Sequence, residues 1–289
     1  MQTVNDFNEY KLISTSNGYK KELWNNITLL RPDPTIIWNG NINEDDIDAK
    51  YTRSNSGGGS WDIINRIPSS WQINYKDYTF NLKLMGFKHT GLFPEQAYNW
   101  NYIEELISNS HRKDVKVLNL FAYTGAASVA ALHAGASVVH VDSSRGMVDW
   151  AKENVKSSNL DDRPIRYIVD DVVKFVKREI RRGNKYDIIL MDPPSYGRGS
   201  SGEVWNIEKD LYNLVELCSE LLSDNALMLL INSYTTALSR TVLENILNKV
   251  LVSKKGGIIT TDDLGIKEEG SNIILPCGNF ARWEKNKEY

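Results

Sequence analysis

The chain has 289 residues, 41% of them hydrophobic and 25% charged, with a formal net charge of −3. That length and apolar content supply a core for one large domain or two modest ones and exclude a disordered chain. The near-balanced charge excludes the strongly basic footprint of a protein that coats nucleic acid, but not an RNA substrate held by a local patch.

No run approaches the roughly 18 apolar residues of a membrane span. The start MQTVNDFNEYKL has neither the basic nor the apolar region of a secretory leader, so a cytoplasmic protein with no membrane partner is expected. The two cysteines, Cys218 and Cys277, have no Cys or His nearby at metal-ligand spacing. Neither a disulfide framework nor a metal site is expected.

Residues 1–90 hold short aromatic and β-branched runs (YKLIST, NITLL, TIIW, WQINY, YTFNLKLM) broken by Pro, Gly, Asn and Asp. This composition predicts a small β-rich N-terminal domain. The two alternating runs around Lys76-Asp77 read as a hairpin, while RPDP at 31–34 and SNSGGGS at 54–60 read as loops. KHTGLFPEQAYNW at 88–100 approaches a helix over 98–108.

From residue 115 the pattern changes to alternating strands and helices. Strands are predicted at 115–120, 137–141, 165–169, 186–191 and 226–231, with helices at 127–134, 145–157, 171–182, 206–222 and 237–252. Two final strands, 257–261 and 272–283, lack an intervening helix. Alternation of this kind demands a mostly parallel sheet with helices on both faces, and the last two strands can form an antiparallel edge. Residues 91–289 are therefore expected to form one α/β domain with a seven-stranded Rossmann-like sheet.

Chemistry is expected at the carboxyl ends of those strands. The first loop, Phe121-Ala122-Tyr123-Thr124-Gly125, is not a G-x-G-x-x-G turn, so it does not read as a pyrophosphate site. It reads either as a loop carrying the amino-acid end of S-adenosylmethionine or as a small-residue turn packing helix on sheet. Asp142 ends the second strand, where a carboxylate can accept both ribose hydroxyls. Ser143 or Ser144 can cap the next helix in its place. Asp170 and Asp171 end the third strand, just before Val172. One is expected to cap the helix and the other, preferably Asp171, to receive an adenine amino group.

The fourth strand ends in MDPPSYGRG. Pro193 and Pro194 remove two backbone donors and stiffen the loop. Asp192 can then accept hydrogen bonds from a substrate amino group while Tyr196 stacks on a flat base. The basic run of the 171–182 helix reads as a solvated face rather than an RNA patch. The four histidines have no triad or ligand partners in sequence.

NLFAYTGAAS, VHVD, VDDVVKF and MDPPSYGRG, in that order, resemble the cofactor loop, ribose acid, adenine acid and catalytic loop of class I S-adenosylmethionine-dependent methyltransferases. With the upstream GLFPEQ, the spacing is similar to the group related to large-subunit ribosomal RNA cytosine carbon-5 methyltransferases. The resemblance implies S-adenosyl-L-methionine as cofactor, a base in RNA as substrate, and Phe93, Pro94 and Gln96 against the methionine end of the cofactor. It also implies a Cys after the fifth strand, since carbon-5 chemistry needs a thiolate. Here that place reads INSYTT, with Asn232 and Ser233. An acceptor nitrogen is therefore expected instead. The alternatives are a small-molecule or protein methyltransferase, or an inactive cofactor-binding relative.

Overall fold

A computed structural model describes residues 1–4, 6–54, 58–199, 202–234 and 238–285. The middle of the SNSGGGS loop, residues 55–57, and Thr235 and Thr236 of INSYTT lie outside the described residues. The chain divides into two compact units, Gln2–Tyr98 with Gly265–Cys277, and Asn99–Leu264 with Met1 and Gly278–Tyr289.

In the first unit a two-residue strand β1 (Gln2–Thr3) precedes a five-stranded sheet. Its strands β2 (Tyr10–Ser16), β3 (Tyr19–Trp24), β4 (Ile27–Pro32), β5 (Ala49–Arg53) and β6 (Gly59–Ile63) lie in sequential order. A separate hairpin, β7 (Trp71–Tyr75) and β8 (Tyr78–Leu82), turns at Lys76, whose φ of 51° is the left-handed conformation a tight reversal needs.

The run TIIW, expected as a strand, is instead a loop. Asp33 accepts from the backbone N–H of Thr35 at 3.1 Å and closes a turn that leaves Ile37 87% exposed. Strand β3 escapes sequence reading for the opposite reason, because Lys20 and Lys21 suggest solvent. Lys21 is buried and Lys20 half-buried: Lys20 pairs with Glu22 and Asp33, and Lys21 pairs with Asp46 and donates to the Asn43 carbonyl. A 3₁₀ turn at Pro94–Gln96 follows the hairpin.

The second unit opens with α1 (Ala97–Asn109), whose first two residues belong to the first unit. It continues through β9 (Lys116–Leu120), α2 (Ala126–His133), β10 (Ser137–Asp142), α3 (Arg145–Ser157), β11 (Ile165–Val169), α4 (Val172–Arg181) and β12 (Ile188–Met191). A short hairpin of β13 (Tyr196–Arg198) and β14 (Val204–Asn206) interrupts the alternation before α5 (Ile207–Leu221) and β15 (Met228–Ser233). Helix α6 (Arg240–Leu247) runs through a π turn, Asn248–Val252, into α7 (Ser253–Lys255). Strands β16 (Ile258–Lys267) and β17 (Ile274–Glu284) complete the chain.

The main sheet has eight strands rather than the seven expected: the two-residue β1 is the extra one, and the others stand in the order β16-β17-β15-β12-β9-β10-β11. From β15 to β11 neighbouring strands are parallel, and β17 is antiparallel to β15. This is the mostly parallel sheet with an antiparallel edge that the alternation demands. Every residue of β12 and β15 is buried, as expected of central strands covered on both faces. Cys218 is fully buried on α5, between Leu214 and Leu221 in the helix's apolar stripe, and acts as a small hydrophobe.

Candidate active site

Strand order decides where a ligand can lie. From β9 the chain moves outward to β10 and β11, then returns to place β12 on the other side of β9. The loops after β9 and β12 therefore diverge and leave a crevice at a topological switch point. The loop Phe121–Gly125 is on one side of it, and Asp192 with Pro193 and Pro194 is on the other.

The first loop is strained and held from below. Phe121, Tyr123 and Gly125 have φ of 53°, 50° and 84°. A Cβ on Gly125 would stand 2.9 Å from that of Ala151 in α3 and 3.3 Å from the His140 ring. Close packing of α3 thus explains this glycine without any ligand. Beneath the loop, Asn119 donates to Ser128 Oγ at 2.9 Å, and Ser128 pairs with His140 Nδ1 at 3.0 Å. Asn154 donates to the Thr124 carbonyl at 2.8 Å. Burial pushes His140 down to about 3, so its ring is neutral.

Asp142 ties the loop to the following helix. Its Oδ2 accepts from Tyr123 N–H at 2.9 Å and its Oδ1 from Ser144 N–H at 2.8 Å. Ser144 is the N-cap of α3 and Ser143 is exposed. Burial raises the Asp142 carboxyl, against the pull of those two N–H groups. A carboxylate offers about four lone-pair sites, so two acceptor positions remain for a diol.

At the next tip Asp171, the preferred adenine acid, is itself the cap of α4. Its Oδ1 accepts from Lys174 N–H at 2.8 Å. No partner for its other oxygen is found among the described residues. Asp170 accepts from Asp171 N–H at 2.8 Å and is ion-paired with Arg178. Lys174 pairs with Glu203 and Arg182 with Glu179, so three of the five basic groups on this helix are matched.

On the far side of the crevice Asp192 is half-buried, Pro193 buried and Pro194 exposed. Tyr234 OH donates to Asp192 Oδ2 at 3.5 Å. Tyr196 lies on β13 and is 53% exposed, with the Arg198 guanidinium 6.0 Å from its ring centre. Trp205, on the paired strand, was not anticipated. Its Nε1 donates to the Pro194 carbonyl at 2.7 Å while its ring packs 4.9 Å from Phe121, so one side chain braces both loops. A tryptophan beyond a proline loop was its only trace in the sequence.

Asn232, where the resemblance implies a Cys, is buried and accepts from Asn99 Nδ2 at 3.0 Å. Burial pushes the Cys218 thiol far up, and it raises Cys277 well above its usual value. Neither is a ready thiolate. Phe93, Pro94 and Gln96 lie in the first unit, the last two in the 3₁₀ turn, whereas the other candidate residues share the second unit. Among the described residues no cluster of His, Cys, Asp and Glu could hold a metal, and no helix is long and apolar enough to cross a membrane.

The family model described as S-adenosylmethionine-dependent methyltransferase matches residues 50–246. A crystal structure of the S-adenosylmethionine-dependent methyltransferase from Agrobacterium tumefaciens is 34% identical in sequence, with a TM-score of 0.93 over 98% of this chain and 93% of that one. Ribosomal RNA large subunit methyltransferase K/L of Syntrophotalea carbinolica is 28% identical over 65% of this chain and 26% of its own. Its counterpart from Shewanella oneidensis is 33% identical over 53% of this chain and 21% of its own. The chain thus spans about a quarter of the length of these curated relatives.

Proposed function

Because the chain belongs to the S-adenosylmethionine-dependent methyltransferases, we propose that it methylates a ring or exocyclic nitrogen of a base in RNA, with Asp192 and Tyr196 receiving that base. The cofactor, S-adenosyl-L-methionine, supplies a methyl group on a sulfonium. The acceptor set suits it: Asp142 takes the ribose hydroxyls with its remaining lone pairs, and the uncommitted oxygen of Asp171 takes the adenine amino group. The neighbouring Ser143, Asp170 and Val172 line that end. Phe121, Ala122, Tyr123, Thr124 and Gly125 form the floor under the amino-acid end.

The observation that carries the acceptor reading is the exposed Tyr196 ring in the segment that begins at the Asp192 carboxylate. An aromatic face stacks on a base, and an acceptor-only group fixes its amino edge. Methyl transfer would then be mainly a matter of alignment: the N–CH3 bond forms as the sulfonium S–CH3 bond breaks, and the Asp192 carboxylate that holds the N–H takes its proton. The relatives' description as ribosomal RNA methyltransferases supports the same class of substrate.

The test uses cofactor labelled in its methyl group. RNA from cells lacking the protein, total metabolites and total protein are offered separately. Label in RNA is expected, at a nitrogen of one nucleoside when digests from cells with and without the protein are compared. Label in the metabolite or protein fraction alone overturns the reading. Asp142→Ala should weaken S-adenosylhomocysteine binding by about tenfold to a hundredfold, the worth of charge-assisted hydrogen bonds. Asp192→Ala should slow transfer with less effect on that binding.

A further inference from the structure

The first unit contains a cavity of about 330 Å³ that the methyltransferase reading leaves without a role. Its walls are Phe7, Tyr10, Leu12, Pro94 and Ile266, with Glu95 among them. Phe7, Leu12 and Ile266 are each at least nine-tenths buried. Tyr10 donates its hydroxyl to Glu22 at 2.8 Å, so it offers the cavity its ring rather than a polar group. The volume falls within the roughly 300–1,000 Å³ common to small-ligand sites.

Glu95 is the unusual wall residue. It is 8% exposed, yet its carboxyl has no side-chain hydrogen bond or ion pair among the described residues and accepts only from its own backbone N–H. The cations nearest it electrostatically are already matched. Arg31 holds Glu22 through two bonds of 2.6 and 2.7 Å, and Lys20 stands 3.7 Å from Glu22 and 3.5 Å from Asp33. Burial pushes Glu95 up to about 7. A ligand that brings a donor adds to this carboxyl a hydrogen bond that no protein side chain supplies. At the rim Lys11 is bound to Glu269 at 2.6 Å and Glu268 accepts from Thr15 at 2.5 Å, while Lys267 is exposed with no partner among the described residues.

We propose that this cavity binds a nucleobase carrying an exocyclic amine, with Glu95 accepting from that amine and Lys267 meeting the phosphate side of the nucleotide. The aromatic and aliphatic walls suit a flat ring and offer nothing to an aliphatic ammonium, whose charge they would desolvate. Above pH about 7, where Glu95 is ionised and accepts only, uracil, which lacks the amine and presents two carbonyls beside its single N–H, is disfavoured, so the nucleotides are compared at that higher pH. The inference stands apart from the acceptor reading, since it concerns binding alone.

The full chain, labelled with ¹⁵N and saturated with S-adenosylhomocysteine to fill the cofactor site, is titrated with AMP, CMP, GMP and UMP. Amides of Lys11 and of residues 267–270 are expected to shift with AMP, CMP and GMP, and UMP should bind at least about tenfold more weakly for want of one buried hydrogen bond. Glu95→Gln should remove the discrimination while leaving the rest of the spectrum in place. The proposal is overturned if no nucleotide moves these amides, if UMP binds as well as the others, or if the nucleotides act only by displacing S-adenosylhomocysteine. The wild-type comparison of four nucleotides decides the matter even if the variant fails to fold.

Discussion

Single residues at the sheet tips carry two loads, structural and chemical. Gly125 reads in sequence as room for a ligand, but its φ of 84° and its contact with Ala151 give it a packing role. Gly125→Ala should destabilise the protein by about 2–4 kcal/mol, from the left-handed backbone and overpacking together. It should also weaken S-adenosylhomocysteine binding as the loop shifts. Urea denaturation and calorimetric titration measure the two effects, and unchanged stability would show that α3 yields freely. The place of Asp142 at a strand tip was legible because the apolar run of β10 ends there. Its grip on Tyr123 and Ser144 was not, since those bonds depend on how the loop folds back over β10. Asp171 is similar: Asp171→Asn should keep the cap of α4, because Asn is as good an N-cap as Asp, while Asp171→Ala should lose about 1 kcal/mol. A fall in cofactor affinity of Asp171→Asn relative to wild type, at unchanged stability, would isolate the proposed adenine contact from the cap.

At the level of elements, the parallel core was legible because fully apolar runs such as IILM and MLLI have no other stable place. The β13–β14 hairpin was not, because three-residue strands carry too little pattern to distinguish from a loop. Yet this hairpin presents Tyr196 and braces the site through Trp205. Trp205→Phe keeps a ring against Phe121 but removes the donor to the Pro194 carbonyl. It should lower the methyl-transfer rate several-fold, consistent with the loss of one hydrogen bond of about 1 kcal/mol, with little change in cofactor affinity. Rate and affinity measured side by side check this, and an equal loss in both would mean that Phe121, rather than the Pro-Pro loop, depends on the indole N–H.

For the whole molecule, buried neutral histidines predict acid sensitivity. Burial holds His140 at about 3 and His89 at about 4, against about 6.5 in an unfolded chain. The unfolded state therefore binds these protons first, and stability falls as pH drops below about 6.5, by up to about 1.4 kcal/mol per pH unit for each group. Glu22 acts in a lower window. Burial would raise it, but Arg31 and Lys20 outweigh that and hold it at about 2, so its contribution is lost only as pH falls from about 4.5 toward 2. Glu95 opposes them, since burial holds it at about 7 and the folded state takes up its proton as pH falls toward about 4.5. Two histidines outweigh one carboxyl below about pH 6, so urea midpoints should drop from pH 6 to 5 and His140→Asn should flatten that drop; a constant midpoint over that step would refute the burial of neutral rings. Sequence alone determined the parallel sheet, its antiparallel edge and the acids at its tips, because hydrophobic period and strand-end position are local properties of the chain. Only tertiary structure decided that Asp171 caps α4, that Trp205 joins two loops, that Lys21 lies inside, and that Gly265–Cys277 rejoins the N-terminal strands. Each of these depends on partners distant in the chain or on the path of the backbone at a loop, which no local pattern encodes.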